Sequence, residues 1–313
     1  MSAFSFKFCY SLIATDAGNT TYQAYGPTSS FCNFSVSRWE LNKVLMNAAE
    51  AAGCAMHFRY PLQHVDVDTG TLYFYMWDPA SKSAGCQKTV TAAHVFGADG
   101  GGSRCRQALV GFLARQSGTQ DAGTEAGALP SSAAVEELAS SEENASKSSS
   151  NLYALSDVYH PLGYGYKELR LPAATADGSY ALHKDSLHIW PRGSHFLMGL
   201  ANRDGSFTMT LYMHEKNDDA GERKVSFEQL TTREAVEAFF AEYYPTALKL
   251  MPQCVDDFLT NPVGRLGTLF VQPWVYQSTF ALIGDASHAF TPFFGQGCNS
   301  GFEDVSVRSQ NEI

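Results

Sequence analysis

The spacing of apolar positions changes along this chain, and each change marks an element. In "SVSRWELNKVLMNAAEAAG", Leu41, Leu45 and Ala48 recur at helical spacing, which predicts a helix over 36–52. Ser37 is placed to cap it, with Glu40 three residues on as a capping box, and Gly53 is the stop. "AMHFRYPLQHVDVD" and "TLYFYMW" read as strands joined by a turn at "DTG". "TVTAAHVFGADG" reads as a further strand ending in a turn, and "SRCRQALVGFLA" as a helix after it.

The second half has a different texture. "YGYKELRLPA", "YALHKDSLHIWPRG", "HFLMGLAN" and "FTMTLYMH" alternate aromatic or aliphatic residues with smaller or polar ones. That pattern predicts an antiparallel or mixed sheet with one solvated face. Trp190 and Phe196 are expected in its core. "TREAVEAFFAEYYPTALKLM" is amphipathic and helical up to Tyr244, where Pro245 interrupts it. "STFALIGD" is an apolar strand, and the N-terminal "MSAFSFKFCYSLIATD" reads as core strand rather than a leader.

Between these halves the pattern disappears. From Gln116 to Ser150 there is no aromatic residue, and Ser, Ala, Gly and Glu dominate. Such a segment cannot bury enough apolar surface to offset its ordering entropy, so 113–151 is expected to be a disordered insertion.

Composition narrows the function. The 313 residues allow two domains, and 44% hydrophobic with 17% charged residues describes a globular chain without an 18-residue apolar run. A formal net charge of −10 argues against nucleic acid as a partner. The seven cysteines are scattered singly, with no CxxC pair, and no HExxH occurs among the nine histidines. Metal-free chemistry in a reducing compartment is the expectation.

The candidate chemistry lies at the ends of two strands. In "FALIGDASHAFTPFFGQGCNSGFED", Phe280–Ile283 is a buried strand, and Asp285 falls at its C-terminal edge, where α/β sheets bind ligands. A carboxylate has only acceptors, and sugar-type hydroxyls are natural donors to it. The glycines of "PFFGQGCNSG" let backbone approach a ligand closely, and a helix starting near Cys298–Asn299 turns its free N–H groups toward it. Gly295, Gly297 and Gly301 are spaced GxGxxxG, which is not the dinucleotide fingerprint. His288 is read as structural or pocket-lining.

Taken whole, this string resembles the second flavin-binding motif of the class A flavoprotein aromatic hydroxylases, and "VFGADGGGSRCRQAL" resembles their middle motif. "PFFGQGCNSGFED", "LHIWPRG", "YGYKEL" and "SVSRWELNKVLMNAAE" are similar to the kynurenine-hydroxylating branch of that family. The resemblance covers nearly all of the chain outside 111–152. It implies an α/β fold: an FAD-binding aromatic-hydroxylase-like fold, with an incomplete doubly wound FAD domain and a mixed/antiparallel β-sheet substrate domain. The FAD-binding part is expected at 35–112 and 269–313, and the substrate domain at 1–34 and 152–268.

Residue roles carry over with the motifs. Arg38 matches the flavin-binding arginine, and Leu62 falls where a family leucine offers its backbone to the adenine side. Asp99 and Gly100 match the turn that meets flavin and nicotinamide cofactor, and Asp285 matches the aspartate on the ribityl chain. Gly295 and Gly297 lead to Cys298 and Asn299, whose N–H groups are expected at the flavin ring; Cys298 stands where the family usually has Met. Pro292, Phe293, Phe294 and Gln296 are expected beside the ring where oxygen is transferred. Tyr25 matches a kynurenine-contacting tyrosine, and Lys7 replaces a substrate-binding arginine, exchanging a two-pronged fork for a point charge.

The resemblance implies FAD as cofactor, NADPH as co-substrate and L-kynurenine as a small aromatic substrate. The family fold also has an N-terminal βαβ unit with GxGxxG, and the chain starts beyond its place and stops early. A partial, inactive chain is therefore expected, with a non-catalytic remnant or a hydroxylase of another aromatic as alternatives. Family members sit at the mitochondrial outer membrane through a C-terminal anchor. None is written here, which leaves a cytoplasmic place open.

Overall fold

The computed structural model describes residues 5–14, 19–28, 30–78, 83–117, 155–217 and 225–310. The chain divides into two compact units, one of residues 1–57 and 161–267, the other of 58–160 and 268–313. Each is treated on its own below. The expected insertion lies outside the described residues from 118 onward. Residues 113–116, assigned to it from composition, instead finish a helix.

In the first unit, β1 (Ser5–Phe8) pairs antiparallel with β4 (Asn33–Val36). β2 (Tyr10–Ala14) and β3 (Thr20–Ala24) form the edge of a seven-stranded sheet. The helix α1 (Arg38–Ala51) starts where its cap predicts: the Ser37 side chain accepts from the Glu40 N–H at 3.5 Å, and Gly53 has φ 90°. Its apolar stripe behaves otherwise. No residue of α1 is buried, and Leu45 is 43% exposed.

The sheet runs in the order β13-β9-β12-β11-β10-β2-β3, where β9 is Ser156–Leu171, β10 Ser186–Arg192, β11 His195–Ala201, β12 Phe207–His214 and β13 Gly264–Gln272. Neighbours from β9 to β10 are antiparallel, while β10 and β2 are parallel, so the sheet is mixed as the alternation suggested. Strand β10 is shorter than its sequence pattern. Residues 180–185 are not strand; there the His183 carbonyl accepts from His188 Nε2 at 2.8 Å.

One face of this sheet is the core. Leu169, Leu171, Trp190, Leu197, Phe207, Met209, Leu211 and Met213 point toward three helices: α3 (Arg233–Tyr243), α4 (Pro245–Leu248) and α5 (Cys254–Thr260). Val236, Phe239, Phe240, Tyr244, Met251 and Phe258 meet them. Pro245 ends α3 and opens α4, because its ring removes a helical donor but suits a first turn. Trp190 is in the core as expected, whereas Phe196 lies on the opposite face, half-buried.

In the second unit, β5 (Leu62–Asp66), β6 (Thr71–Asp78) and β7 (Ser83–Thr91) form an antiparallel meander. The single strand read through "TVTAAHVFG" is two: β7 ends at Thr91, and β8 (Val95–Gly97) joins another sheet. There β8 pairs parallel with β15 (Phe280–Leu282), which pairs antiparallel with β14 (Val275–Tyr276). Helix α2 (Arg104–Gln116) follows β8, and α6 (Asp285–His288) follows β15. Leu109, Val65, Val67, Val95, Phe280, Leu282 and Ala286 form the core of this unit. A single turn of 3-10 helix, Pro292–Phe294, then leads into α7 (Gly297–Gln310).

Candidate active site

Parallel pairing of β8 with β15 is what assembles the site in the second unit. Leu282 lies opposite Gly97, and the Ile283 N–H donates to the Gly97 carbonyl at 3.0 Å. Both strands therefore end at the same edge, with the turn at Asp99-Gly100 beside the turn at Gly284-Asp285. A side-chain carbon at Gly101 would stand 3.9 Å from Cβ of Ala289, which confirms the proximity of the two segments.

The two acidic groups of these turns differ in what they hold. Asp99 is committed to its own fold. Its Oδ2 accepts from the N–H of Arg104 at 2.8 Å and of Cys105 at 3.1 Å, and its Oδ1 from the Ser103 hydroxyl at 2.5 Å. Ser103 in turn accepts from the Arg106 N–H at 2.8 Å. The first three donors of α2 are thus satisfied by two side chains, as helix starts require. Asp285 is exposed, and none of the described residues donates a hydrogen bond to its carboxylate.

Gly284 makes the geometry possible. Its φ of 59° and ψ of −143° lie in a region open essentially to glycine alone. Its carbonyl accepts from the N–H groups of Ser287 and His288 and from the Ser287 hydroxyl. Its own N–H donates to Oδ2 of Asp304, 2.7 Å away on α7.

The glycine segment follows in the same unit. Gly295 has φ 62°, turning the chain from the 3-10 turn into α7. The N–H groups of Gly297, Cys298 and Asn299 open that helix, and the first intrahelical bond starts from Ser300. Gln296 Oε1 accepts from the Asn299 side chain at 2.9 Å. Cys298 and Asn299 are exposed, and Phe293 and Phe294 are 47% and 86% exposed.

These residues fit a large, planar, hydroxyl-bearing cofactor. A side chain placed at Gly100, Gly284, Gly295 or Gly297 would meet no atom within 4 Å, so the backbone there borders open space rather than protein. The same two turns and the glycine segment carry an exposed carboxylate at Asp285, the first N–H groups of α7 and the exposed rings of Phe293 and Phe294. Leu62, half-buried at the start of β5, pairs with Phe74 in this same unit.

Arg38, Lys7 and Tyr25 belong to the first unit. Arg38 opens α1 and is exposed, lining a groove of about 890 Å³ with Arg170, Asn202, Asp204, Asp257 and Asn261. Lys7 is exposed on β1 opposite Phe34. Tyr25 is better defined: its N–H donates to the Cys9 carbonyl at 3.1 Å, and its hydroxyl is 2.9 Å from Ser11 Oγ.

That last bond locates Tyr25 on a particular face. Partnered residues in a sheet point to the same side. Ser11 is opposite Leu187, and Ile13 opposite Ile189 and thence Met198. In the next row Phe196, Tyr212 and Tyr166 are partners across three strands, with the Phe196 and Tyr212 rings stacked at 4.6 Å. The face expected to be simply solvated is therefore a half-buried aromatic and aliphatic surface. Burial beside Tyr166 and Glu168 pushes the Tyr212 phenol up to about 12. The period-2 alternation signalled this strand face, but not which rings the register would align.

Comparison with known proteins bears on the fold and the cofactor. A family profile described as FAD binding domain matches residues 17–158. Among solved structures, Klebsiella pneumoniae HpxO complexed with FAD and uric acid superimposes with a TM-score of 0.56 at 17% identity, covering 96% of this chain and 62% of that one. The oxygenase of 2-methyl-3-hydroxypyridine-5-carboxylic acid gives 0.57 at 14% identity, covering 95% and 62%. The chain therefore has the fold of these FAD-binding oxygenases, and the cofactor-domain profile covers just under half of it. Its similar curated relatives are kynurenine 3-monooxygenases. That of Flavobacterium psychrophilum is 37% identical over 289 residues, 92% of this chain and 53% of the relative. That of Dictyostelium discoideum is 46% identical over 144 residues, 46% of this chain and 30% of the relative. The chain spans about half the length of the relatives it matches along most of its length. Among the described residues no helix is long and apolar enough to cross a membrane.

Proposed function

We propose that this chain carries the flavin-facing part of an FAD- and NADPH-dependent monooxygenase that converts L-kynurenine to 3-hydroxykynurenine. The observation that carries the reading is the pair of turns at the ends of adjacent parallel strands, where Asp285 stands exposed next to Gly284, the residue on which α7 closes through Gly301 and Asp304. FAD, when bound, would supply the redox chemistry, by which NADPH and a proton reduce O2 so that one oxygen atom enters an electron-rich ring and the other leaves as water.

The chain's own residues bind and orient. Asp285 accepts from the ribityl hydroxyls. The N–H groups of Cys298 and Asn299 stabilise negative charge on the ring system, as an oxyanion hole does. Asp99 works indirectly, holding the Gly100–Gly102 turn in place through its bonds to α2. Pro292, Phe293, Phe294 and Gln296 border the reacting face and exclude water. In this division of labour residues 35–112 and 269–313 serve FAD, and 1–34 and 152–268 serve substrate.

On the substrate side, the row Tyr166–Tyr212–Phe196 and the Tyr25 hydroxyl offer an aromatic surface with a polar edge. Kynurenine is an aromatic amino acid whose ring amine directs oxygen to the adjacent carbon. Lys7 is a candidate for its carboxylate. Arg38 is assigned to flavin by resemblance.

The test supplies a protein that carries this chain behind a GxGxxG βαβ unit with FAD, NADPH and ¹⁸O2. Kynurenine should accelerate NADPH oxidation and gain one labelled oxygen at the position beside the amine. Acceleration by a different phenol or anthranilate, with kynurenine inert, would move the assignment to another aromatic substrate.

A further inference from the structure

Asp304 lies outside every role assigned above, yet it makes two of the closest contacts in the second unit. Its Oδ2 accepts from the Gly284 N–H at 2.7 Å and lies 2.8 Å from Nε2 of His288. A carboxylate only accepts, so Nε2 of His288 carries the proton in that bond. The pair is shielded, with the two side chains 17% and 19% exposed.

We propose that Asp304 is a positioning residue that fixes the Gly284-Asp285 turn and so aims the Asp285 carboxylate at its ligand. This deepens, and rests on, the flavin reading of that turn.

Three features support the assignment. The first is reach. A side-chain carbon at Gly301 would stand 3.7 Å from the Gly284 Cα, so the bare backbone of α7 approaches the turn closely there. Residues three apart share a helix face, which brings Asp304 onto the same turn.

The second is saturation. The Gly284 carbonyl already serves α6, so its N–H is the remaining handle on a peptide held in a glycine-only conformation. A turn held at both ends fixes the direction in which the Cα–Cβ bond of the next residue, Asp285, leaves the backbone. The third is bracing. The His288 ring packs between Trp274, at 5.1 Å, and Phe290, at 6.3 Å and nearly parallel. Trp274 is itself fixed by its indole N–H, which donates to the Val271 carbonyl, and by its carbonyl, which accepts from the Leu282 N–H. The order of support runs from Trp274 through His288 and Asp304 to Gly284.

Two substitutions separate positioning from charge. Asp304→Asn keeps an oxygen at the same reach and loses the charge. Asp304→Glu keeps the charge and displaces the oxygens by one methylene. In the ¹⁵N-labelled 313-residue chain without flavin, wild type and Asp304→Asn should share a Gly284 amide shift and an Nε2–H tautomer at His288. Asp304→Glu should change both.

Titration with FAD, followed by quenching of its fluorescence, should then give Asp304→Asn within about threefold of wild type and Asp304→Glu about tenfold weaker, or ~1.4 kcal/mol. The reverse order would overturn positioning in favour of a charge effect. An unchanged Gly284 amide in Asp304→Glu would also overturn it. If wild type shows both apo signatures but no affinity for FAD, the flavin reading fails; the contact itself is decided by the apo spectra alone.

Discussion

Replacing Asp99 by alanine distinguishes a carboxylate that builds the fold from one that touches the cofactor. The substitution strands two N–H groups at the start of α2, those of Arg104 and Cys105, and removes the acceptor of the Ser103 hydroxyl. Loss of a helix cap costs about 1–2 kcal/mol. The upper part of that range applies here, because Cys105 is 4% exposed and water cannot readily replace the carboxylate at its amide. At about 2–4 °C per kcal/mol for a unit of this size, melting should fall by about 3–8 °C.

Amide hydrogen exchange locates the effect. In Asp99→Ala, protection should drop at Arg104, Cys105 and the following turn, while the β10–β12 amides of the first unit keep theirs. Asp99→Asn, which retains one acceptor oxygen, should fall between the two. The reasoning is refuted if Asp99→Ala leaves both melting and exchange at α2 unchanged yet abolishes FAD binding. That pattern would mean the carboxylate serves the cofactor directly and the helix start is held by other groups.

Other perturbations test other parts of the structure. Gly284→Ala meets no clash but must adopt φ 59° and ψ −143°, so it should cost about 1–3 kcal/mol in thermal denaturation; equal melting would remove the strain argument. Burial, then the charge of Asp99, pushes the Cys105 thiol up to about 12, so at pH 8 iodoacetamide should spare it and label exposed Cys54 and Cys298. Adding FAD should protect Cys298 and leave Cys54 reactive; peptide mass spectrometry reads both, and equal labelling of Cys298 with and without flavin would contradict its place. His188 is 2% exposed, and burial lowers its pKa, so the native state favours the neutral ring. Its contribution to stability is complete above its unfolded pKa near 6.5 and is lost as pH falls toward and through the lower folded value. Denaturant midpoints between pH 7 and 5 should therefore fall less steeply in His188→Gln than in wild type.

What the sequence could reveal depended on how local the cause was. Both ends of α1 were readable because Ser37 and Gly53 act within one turn of the backbone they stop. The break at Pro245 was readable for the same reason. The unburied stripe of α1 was not, since periodicity states which face is apolar and not whether anything covers it. The division of "TVTAAHVFG" into β7 and β8 was hidden too, because the residues between them carry no glycine or proline, and the change of sheet comes from pairing with β15. The aromatic row Tyr166–Tyr212–Phe196 needs the register of three strands, which no single strand encodes.

The three aspartates at the site show the same division in chemical form. By residue type Asp99, Asp285 and Asp304 are interchangeable acceptors; the motifs assign Asp99 and Asp285 to the cofactor and give Asp304 no role. Their partners separate them. Asp99 spends both oxygens on the donors of α2, and Asp304 spends Oδ2 on Gly284 and His288. Asp285 is exposed, and its carboxylate accepts no hydrogen bond from any of the described residues. An acceptor already filled by backbone donors gains little from a ligand hydroxyl, because it must first surrender a bond of equal kind. An exposed acceptor exchanges only water. The carboxylate we propose for recognition is therefore Asp285. The other two, one before it in the chain and one after, hold the turns at Asp99-Gly100 and Gly284-Asp285 by hydrogen bonds, and rigidity of that kind is what would let one hydrogen bond discriminate.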